Sequence, residues 1–126
     1  MRSGVVLALA AMLAVPGVAS AAAGSDLRDY AVAACLIKQS ASPELRDEGY
    51  RLADVALARA RVAPSAWRTL QVAVDATLMR QGLLMVHVDG PVAQATRPAP
   101  LASCLRVIDA PAVRRVMAAL AHTKRR

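Results

Sequence analysis

Ser25-Asp26-Leu27-Arg28-Asp29-Tyr30-Ala31-Val32-Ala33-Ala34-Cys35-Leu36-Ile37-Lys38 is the stretch whose reading decides the fold. Leu27, Tyr30, Ala31, Ala34 and Cys35 recur at the i, i+3, i+4, i+7, i+8 spacing of one apolar helix face. Arg28 and Asp29 fall elsewhere on the wheel, and Lys38 returns to the stripe at its end, where a long stem can reach water. Ser25 stands where a helix N-cap belongs, and Asp26 puts a negative charge in the first turn, where the helix dipole favours one. The spacing therefore predicts a helix from Ser25 to about Gln39, with Cys35 on its buried side.

Upstream of that helix the chain reads as an export signal. Arg2 gives a positive start, residues 5–15 form an apolar run of about 11 residues, and Pro16-Gly17 breaks it. Ala19-Ser20-Ala21 then offers small residues for cleavage before Ala22. Residues 1–21 are read as the signal peptide, residues 22–24 as a mobile leader and residues 22–126 as a single domain. The apolar run is well short of the ~20 residues that a spanning helix needs, so no stable membrane anchor is expected.

Export determines how the cysteines are read. The sequence has two, Cys35 and Cys104, and both lie in the exported part. In an oxidising compartment an even pair is most simply a disulfide. The other reading, a nucleophilic thiol, needs a neighbouring base, and neither His87 nor His122 stands in a recognisable catalytic context.

Downstream, punctuation marks further helices. Ser42-Pro43-Glu44 combines an N-cap, a proline at the first helical position and an acid just inside. It opens a helix to about Arg61, with Leu45, Leu52 and Ala56 inward and Val55 beside them. Gly49 falls on that inner stripe, either to admit a neighbouring helix or as a tolerated cost of about 1 kcal/mol. Ala63-Pro64-Ser65 starts a third helix lined by Trp67, Leu70, Val74 and Leu78, and Gln81-Gly82 resembles its C-cap. Leu83–Val88 is either a helical continuation or a short extended segment. Asp89–Pro100 has loop chemistry, with three prolines and a Gly-Pro step. A short helix over Leu101–Val107 carries Cys104, and a last helix follows Asp109-Ala110-Pro111 with Val113, Val116, Met117 and Leu120 inward. The expected fold is all-α, a small bundle of four to five helices with one disulfide.

The formal net charge of +7 favours acidic partners. Export makes nucleic acid the least suitable of them. With Tyr30, Tyr50 and Trp67 as the only aromatics, the chain also lacks a stacking platform for bases. No metalloprotease, phosphate-loop or nucleophile-elbow motif occurs, and zinc would need three or four ligands at suitable spacing. Glu44, Asp47 and Glu48 read as a solvated helix start beside Arg46 and Arg51, and His87 as a partly buried structural histidine. No catalytic residue, metal or cofactor is expected, which leaves binding. Asp89–Pro100 is long for a connection in a helical domain and is read either as a recognition loop or as a segment without a role. As recognition loop it offers Asp89, Gln94 and Arg97 as partner-binding residues, arginine being favoured at interface hot spots.

Two segments carry a family resemblance. Ser25–Leu36, ending in Cys followed by an aliphatic residue, resembles the first mature helix of the type VI secretion amidase immunity proteins. Leu101-Ala102-Ser103-Cys104-Leu105-Arg106-Val107-Ile108, with Val113–Leu120 behind it, looks like that family's second cysteine segment and closing helix. The match covers both ends of the mature chain; the middle matches as helix, and Leu83–Pro100 does not align, so no family contact residue transfers. The resemblance implies a helical periplasmic protein, usually a homodimer, that protects against a peptidoglycan-cleaving amidase effector. It would do so by plugging the effector's cysteine–histidine cleft with a protruding surface, without catalysis of its own. The alternative expectation is a helical envelope stress or scaffold protein held on anionic surfaces by its basic charge.

Overall fold

A computed structural model describes residues 17–60, 62–89 and 95–122. Among these residues five helices occur, α1 (Gly17–Gln39), α2 (Pro43–Arg59), α3 (Pro64–Gln81), α4 (Pro100–Asp109) and α5 (Pro111–His122). Between α3 and α4 lie two short strands, β1 (Met85–Val88) and β2 (Ala95–Pro98). The fold is all-α, a small bundle closed by one disulfide.

Leu27, Ala31 and Cys35 of α1 are fully buried. They meet Leu70 and Val74 of α3, Val107 and Ile108 of α4, and Val113 of α5 in one cluster. Tyr30 of α1 stacks at a tilt on Trp67 of α3, ring centroids 4.5 Å apart. Burial raises the Tyr30 phenol above its ordinary pKa. Residues 33 and 36 are buried as well, so the inner face of α1 is wider than the predicted stripe.

Two expectations about α1 need correction. The helix begins at Gly17 and passes through Ser25 without a break, so Ser25 is not an N-cap and residues 22–24 are not a leader outside the helix. Alanines at 19 and 21–23 are strong helix formers, and no proline or left-handed position interrupts them. The buried side chains still begin at Leu27, so cleavage after Ala21 would leave the packing face whole. The apolar run at residues 5–15 lies outside the described residues.

The start of α2 matches its punctuation. Ser42 Oγ accepts from the Leu45 N–H at 3.3 Å and donates to Glu44 Oε2 at 2.7 Å. That hydroxyl, together with a backbone hydrogen bond, holds the Glu44 carboxyl below its ordinary pKa. The inner stripe is narrower than expected. Gly49 and Ala56 are buried, Leu45 and Leu52 half-buried, and Val55 is exposed.

Gly49 marks a close approach. A Cβ there would lie 3.0 Å from Ile37 Cγ1 and 3.3 Å from the Ala33 carbonyl oxygen on α1. The glycine thus sets the spacing of α1 against α2. Gly49→Leu is expected to destabilise the protein by about 2 kcal/mol through overpacking. Gly49→Ala should be near neutral, because a helix-propensity gain of about 1 kcal/mol offsets the crowding. Urea midpoints of the two variants check this; equal midpoints would remove the spacing role.

Candidate functional site

β1 and β2 pair antiparallel, Met85 with Pro98, Val86 with Arg97, His87 with Thr96 and Val88 with Ala95. Leu83–Val88 is therefore extended from Met85 onward, and the segment read as a loop is in part a strand. Apart from chain neighbours, the strands come within 8 Å of each other, Cα to Cα, but of no helix. Met85, Val86, His87, Thr96, Arg97 and Pro98 are all exposed. The hairpin stands off the bundle, and its described side chains on both faces are exposed.

A two-stranded hairpin is marginal by itself in water. Its base is held by α4. The Ala99 N–H donates to Leu84 O at 2.9 Å. The Leu84 N–H donates to Ser103 Oγ at 2.8 Å, and the Ser103 hydroxyl donates to Ala99 O at 2.8 Å. Ser103 is fully buried, so these bonds are shielded from water. One turn on, Arg106 Nη2 donates to Gly82 O at 3.0 Å. Gly82 has φ +67°, a backbone conformation that suits glycine and turns the chain out of α3.

Between Ser103 and Arg106 sits Cys104, bonded to Cys35 with Cα atoms 5.6 Å apart. Gln39 at the end of α1 reinforces the junction, its Nε2 donating to Pro100 O at 2.7 Å and to Cys104 Sγ at 3.1 Å. Arg28 and Asp109 add an ion pair at 3.0 Å between α1 and the end of α4. Both side chains are about half exposed or more, which limits its worth to ~1 kcal/mol. A continuous mechanical path thus runs from α1 through the disulfide to α4 and on to the hairpin base.

Of the predicted contact residues, Arg97 lies on β2 opposite Val86, and Asp89 follows the end of β1. Asp89 Oδ1 is 3.5 Å from His87 Nε2, with the carboxylate side chain 89% exposed. Gln94 lies outside the described residues. Asp89 and Arg97 thus share one hairpin, but no bond between them is formed. His87 is exposed, which corrects its reading as a partly buried structural histidine. It sits on a strand with solvent on both sides, and no core reaches it.

Sequence reading missed Ser103 and Arg106 as supports, and Met85 and Val86 as exposed apolar side chains. The valines at 86 and 88, after a glycine and before Gly90-Pro91, were the available strand signal. Ser103→Ala is expected to strand the Leu84 N–H and cost about 1–3 kcal/mol. Hydrogen exchange at Leu84 and Ala99 should quicken by more than exchange in α1. Unchanged exchange at those two amides would remove the clamp role.

The remaining surfaces offer less. Glu44, Asp47 and Glu48 are all exposed, with Glu48 paired to Arg51 at 3.1 Å. A groove of ≈ 390 Å³ between α1, α2 and α3 is lined by Tyr30, Ile37, Tyr50, Leu57 and Gln71. Among the described residues no group of three His, Cys, Asp or Glu could hold a metal ion. No described helix is long and apolar enough to cross a membrane. Comparison with protein-family models, curated proteins and solved structures finds no match for this chain.

Proposed function

We propose that the protein is a periplasmic immunity protein that binds a peptidoglycan-cleaving amidase effector and blocks its active-site cleft. It catalyses nothing itself and, as its family resemblance implies, acts as a homodimer. The observation that carries this reading is the hairpin. A protruding element with exposed Met85, Val86 and Arg97 stands clear of every helix, while a disulfide-tied α4 holds its base. Such an element has the shape to enter a cleft, and holding it in place beforehand lowers the ordering cost of binding. The apolar leader and the buried cysteine pair support export to an oxidising compartment.

The test is inhibition. Purified oxidised protein is mixed with any peptidoglycan amidase effector found encoded beside its gene, and release of peptidoglycan fragments is followed. Activity should fall to near zero at equimolar protein and change little with salt. A scaffold on anionic surfaces would instead bind wall polymer or lipid with an affinity that collapses as salt rises. Full amidase activity in excess protein would sink the proposal.

A further inference from the structure

The positive charge of this chain is concentrated rather than spread. Residues 111–126 carry five Lys and Arg and no Asp or Glu, so they hold +5 of the formal net +7. Two of the five, Arg114 and Arg115, lie on α5 and are exposed. With Pro111 and Ala118 they line a groove of ≈ 350 Å³. Neither guanidinium is paired with a carboxylate among the described residues. The nearest acid along the chain, Asp109, is already bonded to Arg28 at 3.0 Å. Lys124, Arg125 and Arg126 follow α5 in sequence. Unpaired like charges side by side repel one another, and an anion brought into the groove relieves that cost.

The rest of α5 restricts what that anion can belong to. Its apolar side is committed to the core: Val113 is fully buried, and Val116, Met117 and Leu120 pack against the cluster that holds Leu27 and Leu70. The helix thus has no free apolar face to insert into a bilayer or to lay into a partner's groove. Beyond the arginines its exposed side chains are Ala118, Ala119 and His122. None is the large apolar side chain, tyrosine or tryptophan that anchors a stable protein interface. An anionic bilayer needs no such anchor, because it presents many like charges in one plane and attracts a face of single opposite sign.

We infer that the α5 face is a second binding surface, which seats phosphate headgroups of anionic phospholipid in the Arg114–Arg115 groove and holds the protein on a membrane surface without insertion. Arginine suits this role, since its planar fork meets two phosphate oxygens at once. The groove opens beyond the end of α4, whereas the hairpin base rests on the first turns of that helix, so a seated headgroup leaves the base uncovered. Lipid attachment and amidase blocking use different surfaces, and either can fail without the other.

Co-sedimentation of the full chain with phosphatidylcholine vesicles, with and without about one-third phosphatidylglycerol, is the test. The protein should pellet only with the anionic vesicles, and its partition should fall about tenfold or more between about 0.05 and 0.5 M salt. Each Lys or Arg near such a surface is worth about fivefold in partition, so Arg114→Gln with Arg115→Gln should weaken it about 25-fold. Arg46→Gln with Arg59→Gln removes the same charge from α2, which does not touch α5, and should weaken it less than about threefold, because screening limits the effect of distant charges. All four arginines are exposed, so urea midpoints should stay unchanged in both variants. Equal weakening by the two pairs would overturn the inference, since net charge alone would then act. So would full binding by the Arg114–Arg115 variant with loss only when Lys124, Arg125 and Arg126 are changed to Gln, since the groove would then take no part. Displacement from the vesicles by soluble polyglutamate at equal negative charge would mark the face as a site for an acidic macromolecule and overturn lipid as its occupant.

Discussion

Replacing Cys35 and Cys104 together by alanine is expected to lower unfolding stability by about 4 kcal/mol. The bond closes a loop with a sequence separation of 69 residues, so it removes much freedom from the unfolded chain. Both cysteines are fully buried, and their loss also weakens packing among Leu27, Leu70 and Ile108. Small domains have about 5–15 kcal/mol in all, so the variant should sit close to its unfolding threshold at body temperature. Urea denaturation of the oxidised protein beside the double-alanine variant measures the difference. Coincident midpoints would show that the helices need no cross-link. A second readout is local. Hydrogen exchange at Leu84 and Ala99 should accelerate in the variant, because α4 would lose its covalent hold on α1.

What could be read from the sequence was what local chemistry determines. Ser42-Pro43-Glu44 announces α2 because its cap bond spans three residues and needs nothing from the rest of the chain. Pro64 and Pro111 open α3 and α5 for a similar reason, since proline suits a first turn wherever it falls. Ser25-Asp26 looked like a comparable cap but is overridden by the alanines before it, which extend α1 back to Gly17. Gly49 could be placed on an inner stripe, but not as the point where α1 comes closest, because that depends on Ile37 and Ala33 of another helix. The hairpin was the least legible element. Its strands are four residues each, no two-residue glycine turn joins them, and its base depends on Ser103, 19 residues beyond Leu84. Arg97 and Asp89 stand out in the sequence as polar residues on a long connection, and the structure places Arg97 on β2 and Asp89 just after β1.

Exchanging residues 85–98 for a Gly-Ser linker of equal length is expected to weaken amidase binding at least ~100-fold, about 2.8 kcal/mol. The bundle should hardly notice. Neither strand approaches a helix, the Leu84–Ala99–Ser103 clamp lies outside the exchanged segment, and a loop of equal length costs the same to close. Loss of binding at an unchanged urea midpoint would therefore locate the contact in the hairpin. Binding undiminished at that midpoint would move the contact elsewhere and leave the hairpin without a role. Single substitutions should divide the loss unevenly. Arg97→Ala and Met85→Ala should each cost about 1–2 kcal/mol of binding, as anchors that become buried against the partner. Asp89→Ala should cost less, since a carboxylate this exposed behaves as a rim charge that affects association rate and salt dependence more than affinity. Titration calorimetry at two salt concentrations separates the three. If Asp89→Ala proved the most damaging of them, the hairpin would be docking by its tip and not through Met85 and Arg97.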